Sequence, residues 1–317
     1  MDFTFSAEQE AMRDSVRSYL AEQAEGGYVR AMLEDERGFG SDVWDAMVGL
    51  GWTGLLVPES AGGLGLGLVD LVPVQEEMCR LAFPGPFFSS AVCATLAAVK
   101  LDAGAELDRL GQGERATVAL EEGGAADPLS SVQTLARQDG DRWLLSGTKP
   151  MVLDGATADF AFVVARDESG LGTFVVADPS AQAVPALDVT RKMARLVLDS
   201  TPTRRIGPPG DHTVLWRRIM DDISIALAAE TVGAAERALS MAIEYAKVRV
   251  QFDRPIATFQ AIKHKIVDML HQLELARVGT HWAAWCSDVD DPLRAAASAA
   301  CKAFVAEAAV MVTGESI

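Results

Sequence analysis

The stretch Tyr245-Ala-Lys-Val-Arg-Val-Gln-Phe-Asp-Arg-Pro-Ile-Ala-Thr-Phe-Gln260 decides how the chain is read. Tyr245 to Arg249 closes one helical pattern. Asp253 and Pro255 turn the chain, and Thr258 to Gln260 open the next helix. Arg249 is thereby held at a helix end that faces a helix start. A guanidinium pairs bidentately with a phosphate, which a lysine does not. A helix N-terminus adds partial positive charge to the same place. Phe252, Ile256 and Phe259 supply apolar surface around a flat ring system. Taken alone, the pattern is also that of an arginine paired with a carboxylate at a helix turn.

On either side of this stretch the periodicity is helical. Ile223, Leu227, Val232, Leu239 and Ile243 keep roughly helical spacing up to Val248. Phe259 to Trp285 and Pro292 to Thr313 predict two more helices. Residues 116–210 change character. Ala116 to Leu120 reads as a short apolar strand. Ser131 to Gln138 and Trp143 to Ser146 read as a hairpin around Asp139-Gly140. Phe160 to Ala165 and Thr173 to Ala177 are strands rich in Val and Phe. Pro202 and Gly207-Pro208-Pro209-Gly210 read as a closing linker.

Residues 1–115 are helical again. Ser6 and Gln9 form a capping-box pattern ahead of Met12, Val16, Tyr19 and Leu20. Val43, Trp44, Met47, Val48 and Leu50 mark a second helix, and Leu68 to Leu81 a third. Between them Val57 to Gly67 is a turn-rich loop whose glycines lack GxGxxG spacing. The expectation is an α+β chain of three domains: N-terminal helical, 1–115; middle β, 116–210; C-terminal helical, 211–317.

Composition narrows the function. The chain has 317 residues, 49% hydrophobic and 23% charged, enough for a large core. A net charge of −17 argues against a nucleic-acid partner. An anionic ligand therefore needs a local cationic pocket, which Arg249 supplies. Cys79, Cys93, Cys286 and Cys301 show no metal-type spacing and read as buried thiols of a reducing cytoplasm. No stretch reaches the ~20 unbroken apolar residues of a membrane span. None of His212, His264, His271 and His281 stands in a triad context, and no metal site is expected.

The motif Tyr245 to Gln260 closely resembles the signature Y-A-x-x-R-x-Q-F-G-x-P-I-x-x-F-Q of acyl-CoA dehydrogenases. Ala261 to Met269, Glu230 to Ala238, Val57-Pro58-Glu59 with Gly62-Gly63-Leu64-Gly65, and Gly147-Thr148-Lys149 echo the same family. The resemblance implies an acyl-CoA dehydrogenase-like fold, FAD as cofactor and an acyl-CoA substrate. It also implies that Arg249 and Gln260 touch FAD bound mainly by a neighbouring subunit, with Phe252, Ile256 and Phe259 as packing contacts. Asp253 stands where the family has Gly.

Elsewhere the chain departs from the family. Against A-x-T-E-P-G-A-G-S-D it reads Ala119-Leu-Glu-Glu-Gly-Gly-Ala-Ala-Asp-Pro128. Glu121 replaces the Thr at the flavin and is costly to bury beside an uncharged ring. Ala126 replaces the second Gly, Asp127 the Ser, and Pro128 offers no amide donor. Against G-T-K-x-W-I-T-N it reads Gly147 to Asp154, with Met151 for the stacking Trp and Leu153 for the Thr. Removing the proton α to a thioester needs a positioned carboxylate. One family position for it falls on Ile223, which cannot act, and Asp221 and Asp222 project elsewhere on the helix. The other lies beyond Ile317, so no catalytic residue is assigned and the C-terminal bundle reads as truncated. Glu76-Glu77 reads as a solvated helix face.

Three readings follow from the resemblance. The first is a partner chain in an α2β2 heterotetramer with a related subunit, resembling enzymes of bacterial sterol breakdown. The second is a homotetrameric dehydrogenase with its base in a C-terminal segment. The third is a non-catalytic acyl-CoA-binding subunit.

Overall fold

A computed structural model of the chain describes residues 5–25, 27–124 and 127–317. The main elements run α1 (Ala7–Glu25), α2 (Tyr28–Glu34), α3 (Ser41–Gly49), α4 (Leu68–Arg80), a π-helical stretch (Phe87–Ala94), α5 (Thr95–Lys100) and α6 (Gly104–Gly111). Strands follow: β1 (Ala116–Ala119), β2 (Leu135–Asp139), β3 (Arg142–Leu153), β4 (Phe160–Asp167), β5 (Gly170–Ala177), β6 (Gln182–Val184) and β7 (Met193–Ile206). The chain returns to α7 (Thr213–Val248), the short strands β8 (Val250–Gln251) and β9 (Arg254–Pro255), α8 (Gln260–Asp288) and α9 (Arg294–Glu315). The expected order of helices, strands and helices is present. By contacts the chain divides into two compact units: Met1–Gly27, Gly67–Phe83 and Ser224–Ile317 form one, Tyr28–Leu66 and Pro84–Ile223 the other.

The first unit is helical. Ser6 and Gln9 exchange hydrogen bonds, Ser6 N to Gln9 Oε1 at 2.9 Å and Gln9 N to Ser6 Oγ at 3.2 Å, and start α1 as a capping box. The Asp288 carboxylate accepts from Leu68 N and Val69 N at 2.8 and 2.9 Å and caps α4. α4 crosses α7 closely at Gly233, where a Cβ would strike the carbonyl oxygen of Glu76. Val16, Leu20, Leu71, Val74, Leu239, Leu273 and Val305 are buried in this unit. Among the described residues only α9 is long and apolar enough to cross a membrane by length and composition, and it packs along α8.

Glu76 and Glu77 are not solvated. They are 1% and 2% exposed, because α4 turns them into the bundle against arginines from other helices. Glu77 pairs with Arg13 Nε at 3.1 Å and Arg17 Nη2 at 2.5 Å. Glu76 pairs with Arg277 Nε at 3.3 Å, and Arg277 also holds Glu236 at 2.6 Å. Burial pushes the Glu76 carboxyl up to about 7 despite Arg277 and Arg13. Burial, with the same two arginines, pushes His281 down to about 4.

The second unit is built on a sheet whose strands join in a ring, β2–β3–β7–β5–β4, with β1 parallel to β4 and β6 beside β7. Leu145, Val152, Ala161, Val163, Phe174, Leu196 and Leu198 pack together on one side. Phe160, Phe162 and Val164, alternating with them on β4, join Leu101, Leu107, Trp216 and Ile219 in a second core. The β2–β3 hairpin begins only at Leu135, turns at Gly140-Asp141 between the paired Asp139 and Arg142, and its second strand runs on to Leu153. Pro202 is no linker: it lies within the fourteen-residue β7, opposite Leu144. Alternating burial along β7 outweighs the missing amide there.

Candidate functional site

The decisive stretch folds as a small arm between two long helices. α7 closes with Arg249 N donating to Tyr245 O at 2.9 Å. A two-residue turn follows, with Phe252 and Asp253 both left-handed, φ 54° and 57°. Turns of this kind need positive φ at both central positions, which asparagine, aspartate and glycine tolerate best. Asp253 in place of glycine therefore keeps the turn. Pro255 stands on β9 rather than in the turn. Ile256 N donates back to Arg249 O at 2.8 Å, so the end of α7 is tied to the 3-10 turn Ile256–Thr258 that leads into α8.

Arg249 and Gln260 are both exposed, and neither side chain makes a hydrogen bond or ion pair among the described residues. Gln260 is the first residue of α8, where amide groups lack intrahelical acceptors. Phe252 is 85% exposed and meets Phe259 edge to face at 5.9 Å. The Arg254 guanidinium lies 4.2 Å over the Phe259 ring. Ile256 is half-buried and lines a cleft of about 620 Å³ with Met241, Tyr245, Ile266 and Met269. The arm thus gathers a free cation, a free amide and exposed apolar surface.

The β-unit residues singled out from the sequence have other surroundings. Glu121 is exposed, so it carries no burial cost in this chain. Asp127 accepts from Leu129 N at 3.2 Å and pairs with Arg217 at 2.9 Å, while Pro128 opens a short 3-10 turn. Ala126 lies outside the described residues. Met151 is 46% exposed and Leu153 half-buried. Ile223, like Leu120 and Met220, is partly buried and packs against the core that holds Trp216 and Ile219. Asp222 is buried beside Lys100 Nζ at 3.3 Å. His264 and His271 are exposed.

A buried pair carries no role in the sequence reading. Lys149 is wholly buried and bonds the Glu122 carboxylate at 2.5 Å. Burial pulls the Lys149 ammonium down to about 8. The signal was the Gly147-Thr148-Lys149 motif itself. A Cβ at Gly147 would sit 2.5 Å from Thr134 Oγ1, so only glycine admits that neighbour, and a lysine on an inward strand position needs an anion.

Comparisons with known proteins fall on both helical ends. Residues 6–106 match the model "Acyl-CoA dehydrogenase, N-terminal domain", and residues 216–317 match "Acyl-CoA dehydrogenase, C-terminal domain". The acyl-CoA dehydrogenase IpdE2 of Mycobacterium tuberculosis is 35% identical, covering 85% of this chain and 73% of its own. Among solved structures, a variant of the Tcur3481-Tcur3483 steroid ACAD is similar with a TM-score of 0.87 and 31% identity, over 98% of this chain and 85% of that one. The ChsE4-ChsE5 complex from Mycobacterium tuberculosis is similar with a TM-score of 0.83 and 26% identity, over 98% and 88%.

Proposed function

This chain belongs to the acyl-CoA dehydrogenase family, and from that premise we propose that it is the partner subunit of an α2β2 enzyme, completing a related subunit's FAD site with Arg249 and Gln260. The family's reaction is FAD-dependent α,β-desaturation of an acyl-CoA thioester. Bound FAD supplies the hydride acceptor for that chemistry.

One observation carries the reading: an exposed guanidinium and an exposed amide, both without partners among the described residues, where one helix ends and the next begins. The donor set fits a dinucleotide. Arg249 offers a planar fork to phosphate oxygens, and Gln260 adds an amide at a positive helix end. Phe252, Ile256 and Phe259 then pack beside the bound nucleotide. Tyr245, Val248, Val250 and Phe252, between 52% and 85% exposed, surround Arg249 with apolar surface that a second subunit would cover.

Two further features support a division of labour between chains. Ile223 offers no carboxylate, and Asp222 is engaged by Lys100. In this reading the base that takes the α-proton belongs to the related subunit. On this chain's sheet, Glu121, Met151 and Leu153 present neither a hydroxyl nor an indole to a flavin. Two of the solved relatives carry paired names, Tcur3481-Tcur3483 and ChsE4-ChsE5, which favours a heteromer over a homotetramer. Cys79, Cys93, Cys286 and Cys301 stand as thiols rather than in disulfides, which suits a reducing, cytoplasmic setting.

Flavin absorbance tests this directly. The chain purified alone is expected colourless, and the chain co-purified with its related subunit yellow and active. Stoichiometric flavin and activity in the chain alone would favour the homotetramer. Colourless protein with every related chain would favour an acyl-CoA-binding subunit.

A further inference from the structure

Segment 120–134 links β1 to β2, and both of its ends are tied through one buried ion pair. From Lys149 on β3, Nζ donates to Leu120 O at 2.9 Å, to Val164 O at 2.7 Å and to the Glu122 carboxylate at 2.5 Å. An ammonium has three donors, and all three are used. Glu122 in turn accepts from the backbone amides of Gln133 at 2.6 Å and Thr134 at 2.9 Å.

These contacts stand at a gap in the ladder. On one edge of β4, β1 pairs with Phe160 to Val163, ending at Ala119. β2 takes over only at Arg166, through the single pair Leu135 and Arg166. The carbonyl of Val164 falls between the two and accepts instead from Lys149. The opposite edge of β4 pairs continuously with β5 from Phe160 to Asp167. A side-chain pair thus stands where backbone bonds are missing, at the place where the ring of strands closes.

We propose that Glu122 and Lys149 form a latch that closes the barrel between β2 and β4, and that residues 120–124 and 127–134 open together when the latch is broken. Other ties limit the opening. Arg166 Nε donates to Val132 O at 2.7 Å, and Asp127 pairs with Arg217 at the start of α7. Leu129 and Val132 are buried in the second core, with Phe160 and Trp216, so opening exposes them. Such a unit lies at the low-stability end of a fold, because few backbone bonds hold it. Removing one partner leaves the other buried and unpaired, whereas removing both does not.

Hydrogen exchange on the full-length chain, in whatever complex it is purified, tests the latch. Glu122→Gln is expected to speed exchange at Gln133, Thr134 and the other amides of 120–124 and 127–134 by at least tenfold, with β4–β5 and β3–β7 amides unchanged. Lys149→Met is expected to open the same residues, and so is Glu122→Leu combined with Lys149→Met, which also removes the acceptor of the Gln133 and Thr134 amides. Unchanged exchange in Glu122→Gln would overturn the proposal, and so would acceleration spread evenly over the barrel. If Lys149→Met does not accumulate folded, Glu122→Gln and the double variant decide the matter.

Discussion

At position 249 the charge and the shape of the side chain do different things. A lysine would keep the charge and lose the fork that, in the proposed site, would grip two phosphate oxygens at once. Hydrogen bonds to charged groups contribute about 1.5–3 kcal/mol, so Arg249→Ala should weaken FAD binding in the assembled enzyme roughly 10- to 100-fold. Arg249→Lys should fall between Arg249→Ala and the natural protein, and titration of flavin fluorescence reads both. The geometry of the arm was legible because its signal is local: a helix end, a turn and a helix start within sixteen residues. The burial of Glu76 and Glu77 was not legible. Their partners Arg13 and Arg277 stand 64 residues before Glu77 and 201 after Glu76, and no local pattern announces them. That the anion beside Lys149 is Glu122, 27 residues away, was hidden in the same way.

Two contacts fix how α4 sits in the helical unit, one at its cap and one at its crossing. Asp288 supplies two acceptors to the first turn of α4, so Asp288→Ala should cost about 1 kcal/mol. At the crossing, Gly233→Ala would drive a methyl into the Glu76 carbonyl and force the helices apart, at about 1–3 kcal/mol. Denaturant unfolding of both variants checks the two figures, with Gly233→Ala expected to be the larger loss. Helices were the readable elements, because capping and 3.6-residue spacing are written along the chain, as Ser6 and Gln9 show. The strands were less so. β7 pairs with β3, β5 and β6, and that context keeps Pro202 inside a strand although proline usually marks a break.

Over the whole molecule, pH should act through the buried helical cluster. Glu76 has its carboxyl raised above its ordinary value, so the stability it contributes is full below about 4.5 and is lost as pH rises through about 7. His281 is lowered, so its contribution is full above about 6.5 and is lost as pH falls through about 4. The two slopes oppose each other between those limits, giving a broad maximum near pH 4.5–6.5 with a decline on either side. Glu76→Gln should flatten the decline above pH 6.5, measured as Tm against pH. The assembly itself is tested at the arm. In the complex of this chain with its related subunit, Arg249→Ala should weaken FAD binding at least tenfold while the subunit masses and stoichiometry stay the same. An unchanged dissociation constant in an intact complex would contradict the claim that this chain completes its neighbour's flavin site.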